Sequence, residues 1–154
     1  MDRRQIWDML VTRDINAFVA ADWSAVAGDF IEAGFMGLNA HFQPDPQGYT
    51  LAFPTLDAYR STWLSQAHDF GMALAAGVYS GTPRDGIFHA TRLEEIEITG
   101  DAALVRKKFD GRLAKSDGSF ERMNWQTLYI CRRDSISEKA GGRWKIAGFV
   151  GYLP

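Results

Sequence analysis

Apolar residues near the start of the chain recur with a helical spacing. Trp7, Leu10, Val11, Ile15 and Phe18 fall at i, i+3, i+4, i+8 and i+11 and form one stripe. Asp22 reads as an N-cap for a second short helix, in which Trp23, Val26, Ala27, Phe30 and Ile31 repeat that spacing. Across residues 34–42 the period changes to two. Met36, Leu38, Ala40 and Phe42 alternate with Phe35, Asn39 and His41, which predicts a strand, and the Pro- and Gly-containing run 43–48 ends it. A third helix is expected from Thr55, with Leu56, Tyr59, Trp63, Ala67, Phe70 and Leu74 as its stripe and Asp57 in its first turn. Glycines at 71, 77 and 81 leave residues 71–85 open between helix, strand and loop.

From residue 86 onward the pattern reads as strands. Gly100-Asp101 and Asp117-Gly118 are both candidates for two-residue hairpin turns. Pairing Thr99 with Ala102 and Ser116 with Ser119 sets Ile98 against Ala103, Ile96 against Val105, Val105 against Ile130, and Lys107 against Leu128. One sheet face then carries Ile96, Ile98, Ala103, Val105, Phe109, Leu128 and Ile130, with Lys107, Asn124 and Gln126 toward one end. The other carries Leu104, Trp125, Thr127, Tyr129 and Cys131 among charged residues. A register one residue away would exchange the faces and transfer the site to Trp125 and Thr127. Leu93 and Ile96 are out of phase, so a bulge is expected near Glu94 and Glu95. A last strand covers 143–152, after a loop rich in Ser, Glu, Lys and Gly that holds the Gly141-Gly142 turn.

This order predicts a single α+β domain over residues 1–154, a curved antiparallel sheet wrapped around N-terminal helices. The strand over 120–133 is apolar on both faces, and the helices cover only one. The outer face, with Leu104, Trp125 and Tyr129, is therefore expected to meet a second copy as a homodimer.

Composition narrows the function. The chain has 154 residues, 17 basic against 19 acidic side chains, and 10 Phe, 5 Trp and 5 Tyr. A near-neutral charge without a basic stripe argues against nucleic-acid binding, whose affinity scales with phosphate contacts. The 46% hydrophobic content argues against disorder. The single cysteine, Cys131, forms no intramolecular bridge, and the basic start is followed by no apolar core of a leader and no run of about 20 apolar residues. A cytoplasmic location and no membrane partner are expected.

The layout of Asp22-Trp23, Asp29-Phe30, Tyr59 and Trp63, Asp101 to Leu104, Trp125-Gln126 and the closing run from Arg143 to Phe149 resembles the nuclear transport factor 2-like (NTF2-like) superfamily, particularly its SnoaL-like branch. The resemblance covers nearly the whole chain. It implies a cone-shaped, cystatin-like α+β fold, usually dimeric, with a pocket between helices and concave sheet. It also implies that isomerases and cyclases of this group place an acid–base carboxylate near the end of the first strand. No Asp or Glu lies between Glu32 and Asp45 here, which argues against a close ketosteroid isomerase.

The catalytic candidates are His41 and Asp14. His41 offers an imidazole, a side chain often used as a general base, or is a solvent-facing strand-end histidine. Asp14 falls inside the stripe of the first helix, where it would face a pocket as a general acid or base, or it turns outward beside Arg13. Candidate ligand contacts are Asn39, Tyr59, Trp63, His68, Lys107, Phe109, Asn124 and Gln126. Burying Lys107 and the two amides without partners would cost several kcal/mol, so this cluster marks an open rim or a polar ligand. The histidines are far apart and no close-spaced ligand motif exists, so no metal or cofactor is expected. The ligand expected is a small, mainly apolar organic molecule.

Overall fold

The computed structural model describes residues 1–134 and 143–154; the loop expected to precede the last strand, with Gly141-Gly142, lies outside the described residues. The chain opens with helix α1 (Asp2–Trp7), a π-helical segment (Asp8–Arg13) and α2 (Asp14–Ala20), followed by 3₁₀ turns at Trp23–Ala25 and Ala27–Asp29. Strand β1 (Met36–Asn39), a 3₁₀ turn at Pro46–Gly48, β2 (Thr50–Phe53), α3 (Leu56–Ala75) and α4 (Pro83–Ala90) come next. Four strands complete the chain: β3 (Thr91–Thr99), β4 (Ala102–Ala114), β5 (Phe120–Asp134) and β6 (Arg143–Leu153). They form one six-stranded sheet in the order β2-β1-β6-β5-β4-β3. All pairs are antiparallel except β1 with β6, which run parallel, so the expected antiparallel sheet is in fact mixed.

The local signals act as their chemistry dictates. The Thr55 side chain caps α3 by accepting from the Ala58 N–H at 3.2 Å. Asp22 accepts from the Ser24 N–H at 3.1 Å, but it caps the first of two short 3₁₀ turns and not the expected helix. Residues 71–75 finish α3, and residues 86–90, expected as strand, belong to α4. Pro83 opens α4, where a missing N–H costs nothing.

The π segment rotates the rest of the N-terminal helix, because a π turn takes in more residues than an α turn. Ile6, Met9, Leu10, Val11 and Ile15 become the buried set, while Trp7, expected in the stripe, is 37% exposed. This face packs on Trp144, Ile146 and Phe149 of β6 and on Ala103, Val105 and Cys131 of the neighbouring strands. A smaller cluster joins Ala17 and Val26 to Trp63 and Ala67 of α3. Burial pushes the Cys131 thiol up to about 12, so it stays protonated and unreactive at neutral pH. Asp29, 1% exposed, ties these parts together: Arg13 grips it through Nε at 3.0 Å and Nη2 at 2.9 Å, and Arg143 of β6 donates to the same carboxylate.

The β3–β4 hairpin has the expected register, Ile96 with Val105 and Ile98 with Ala103, and the expected bulge between Leu93 and Glu95. The β4–β5 hairpin is shifted by one residue. Val105 pairs with Tyr129 and Lys107 with Thr127. The turn explains the shift. Lys115 N–H donates to the Ser119 carbonyl and Gly118 N–H to that of Lys115, so three residues close the loop, with Gly118 at φ +87°. Since side chains alternate, one residue of slip exchanges the faces. Trp125, Thr127, Tyr129 and Cys131 therefore join Lys107 on the concave face, and Asn124, Gln126, Leu128 and Ile130 move to the outer one.

Candidate functional site

A cavity of about 540 Å³ lies between α2, α3 and the concave face of β4–β6. Phe18, Trp63 and Phe70 wall it from the helices, and Phe109, Trp125 and Phe149 from the sheet. Its deep end is polar. Lys107 Nζ donates to Asp14 Oδ2 at 2.9 Å and to the Leu10 carbonyl at 2.6 Å, and it lies 5.1 Å from the centre of the Phe109 ring. Lys107 is 1% exposed. A lysine so buried requires a counter-charge and acceptors. The π segment supports this arrangement: Asp14 N–H donates to the Val11 carbonyl, and the Leu10 carbonyl receives the ammonium. Asp14 itself lines the cavity and keeps 31% of its side-chain surface exposed.

Two phenols complete the polar end. Tyr59 sits at the centre of an aromatic cluster, 4.9 Å from Phe149 and 5.2 Å from Phe53 between ring centres. Burial, and then the negative charge of Asp14, raise its pKa far above the ordinary tyrosine value. Tyr129 is raised likewise, by burial first, then by Tyr59 and Asp14. Both therefore remain protonated donors. Neither hydroxyl has a hydrogen-bond partner among the described residues, and both residues line the cavity. Thr127 adds a third hydroxyl from the strand position opposite Lys107.

The rim carries Gln66 and Asp69 of α3 and Glu121 and Arg122 of β5, all exposed. Tyr79 donates to Glu121 there, and burial together with that bond pushes its phenol up to about 12. The cavity thus has apolar walls, a donor-rich deep end with one carboxylate, and a charged mouth.

Of the residues singled out in the sequence, Asp14, Tyr59, Trp63, Lys107 and Phe109 line this cavity. The others lie elsewhere. His41 is exposed at the end of β1, its Nε2 2.8 Å from Thr50 Oγ1, and Asn39 Oδ1 accepts from the His41 N–H. His68 projects from the exposed side of α3. Asn124 is exposed on the outer face, and Gln126 Nε2 donates to the Pro154 carbonyl at 2.8 Å. Sequence reasoning misses Tyr129 as a cavity wall and reaches Trp125 and Thr127 only through the alternative register, which is the one observed. The signal that finds them is the Ser116-Asp117-Gly118 run read as a three-residue loop.

No family model matches the chain, and no curated protein matches it. Solved structures do. An NTF2-like protein of unknown function from Shewanella baltica is similar with a TM-score of 0.55 at 11% identity, covering 97% of this chain and 91% of that one. An NTF2-like protein with a cystatin-like fold from Novosphingobium aromaticivorans gives 0.53 at 14% identity, covering 99% and 81%. The chain has the NTF2-like fold. A protein of unknown function from Mycobacterium tuberculosis matches with a TM-score of 0.56 at 15% identity over 99% of this chain and 71% of its own. At these identities the likeness is one of fold, and an NTF2-like fold alone does not fix an activity.

Proposed function

We propose that this chain is a pocket protein of the SnoaL-like type, which binds a small, mainly apolar organic molecule and carries out acid–base chemistry of the isomerase, cyclase or dehydratase kind with Asp14 as the proton carrier. The observation that carries this reading is the place of Asp14. Away from the charged rim, the Asp14 carboxylate lines an aromatic cavity of about 540 Å³ beside two unpartnered phenols. Apolar walls hold the ligand, the Tyr59 and Tyr129 hydroxyls donate to an oxygen that gains charge, and Asp14 moves the proton. His41, exposed and bonded to Thr50, has no part in it. The buried, protonated Cys131 thiol is compatible with a reducing, cytoplasmic setting.

A panel of aromatic and alicyclic ketones, alcohols and phenols, screened by thermal shift and then by turnover, tests the reading. Asp14→Asn is expected to keep binding and lose turnover by roughly 10²–10⁴-fold. The absence of any ligand-dependent shift across the panel, or full turnover in Asp14→Asn, overturns it.

The reading includes a homodimer through the outer sheet face. Exposed Leu51, Met36, Leu104 and Ile130 share that face with half-buried Leu38, Leu128 and Val150. Glu95 and Glu97 flank this patch on β3, and Arg132 and Lys145 occupy another edge, so it carries both signs of charge as a self-complementary interface requires. Trp125 and Tyr129, expected from the sequence at this interface, point into the cavity. Light scattering at micromolar concentration is expected to give twice the chain mass, and Ile130→Asp the single mass. A monomeric wild-type protein removes the interface.

A further inference from the structure

We propose that Lys107 is an amine site for carbonyl compounds, at which an aldehyde or ketone held in the cavity condenses to an imine. The inference rests on the cavity being a ligand site and adds the chemical class of its occupant. An amine site for carbonyls requires an amine withheld from bulk water, a carboxylate close enough to carry its proton, and apolar walls for the carbon skeleton. Lys107 is 1% exposed and lines the cavity. Asp14 Oδ2 lies 2.9 Å from Nζ. Of the three N–H groups of the ammonium, Asp14 and the Leu10 carbonyl take two, and the third has no acceptor among the described residues. The carbonyl oxygen has its own donors in the unpartnered Tyr59 and Tyr129 hydroxyls, and an aryl or alkyl group meets Phe109 and Trp125, whose rings are 5.0 Å apart between centres.

The step balances without a co-reactant. Asp14 accepts a proton from the Lys107 ammonium, and the freed amine attacks the carbonyl carbon. The C–N bond forms, the carbonyl π pair moves to oxygen, and that oxygen takes the proton to give a carbinolamine. Its hydroxyl leaves as water, carrying a second amine proton by way of Asp14. The net change converts ammonium and carbonyl into iminium and water, with the Asp14 carboxylate regenerated as counter-ion. Charge is conserved, so the ion pair survives the reaction in altered form.

Reductive trapping tests this on the intact wild-type protein. 2-Naphthaldehyde is added with cyanoborohydride, whose hydride reduces any iminium to a stable amine, and the modified lysine is located by peptide mass spectrometry. One naphthylmethyl group per chain on Lys107 is expected, formed at least 10-fold faster than on half-buried Lys108 and Lys115 and slowed at least 10-fold in Asp14→Asn. Lys107→Arg and Lys107→Met, the second guarding against a misfolded first, are expected to lose that label and keep the slow surface ones. Quenching of tryptophan fluorescence by the aldehyde without reductant reads cavity filling separately. Quenching with label only on surface lysines or the N-terminus overturns the amine site and leaves the cavity reading standing. Neither quenching nor Lys107 label overturns both.

Discussion

Asp29→Ala is expected to lower the unfolding free energy by about 3–5 kcal/mol, read as a shift of the urea midpoint at unchanged slope. Asp29 is 1% exposed, and its two oxygens are shared between Arg13 and Arg143. Removing the carboxylate brings two guanidinium groups together without the charge that holds them, and it unties the helical N-terminus from β6. Asp29→Asn fills the same volume and keeps one acceptor, but its amide nitrogen meets donors where an oxygen met them. It is expected to recover only a minor part of the loss. The arginines are each more than one-third exposed, so they can turn toward water, which keeps the cost within this range. A loss below about 0.5 kcal/mol, the level of an ordinary surface substitution, would show that the carboxylate does not hold this junction.

Lys107→Ala is expected to be comparably severe, again about 3–5 kcal/mol, for a different reason. Here the truncation strips the counter-charge from Asp14, leaves the Leu10 carbonyl without its donor, and opens a void against Phe109. Lys107→Met fills that void. Combined with Asp14→Leu it removes both charges at once, so the double variant is expected to be more stable than Lys107→Ala and close to wild type, as replacements of buried ion pairs by apolar groups often are. A double-mutant cycle on the pair reads the coupling directly. Coupling indistinguishable from zero would mean that the 2.9 Å contact contributes no net stability.

The fold is legible in the sequence wherever local chemistry settles the structure. Thr55, Pro54 and Asp57 mark the start of α3, Gly100 closes the β3–β4 turn, and the phase break between Leu93 and Ile96 betrays the bulge. The misses also have local causes. Ser-Asp-Gly-Ser accommodates a two- or a three-residue loop, and hydrophobic alternation does not choose between them when both faces of β5 are apolar. The π segment is invisible to a 3.6-residue period, which is why that period puts Trp7 in the core and passes over Ile6 and Met9. Asp14 and Lys107 each stand out in the sequence on separate grounds. Their pairing joins positions 93 residues apart and depends on both the π turn and the β4–β5 register, so neither element alone reveals it.

The parallel pairing of β1 with β6 also sets an order of events. Strands β3 to β5 succeed one another through tight hairpins, so their ladders need only local closure. Strand β1 finds its partner across roughly 110 residues of chain, and that loop must be closed before any of its hydrogen bonds is gained. Gly148 sits at this seam, where an added Cβ would lie 2.6 Å from the Met36 carbonyl oxygen, so the two backbones meet only because one side has nothing to displace. Phe53 reaches the cavity on β2, the edge strand, which among the described residues pairs with the sheet through β1. The cavity is therefore expected to form late in folding: its floor comes with the meander, and its last wall when β1 docks on β6.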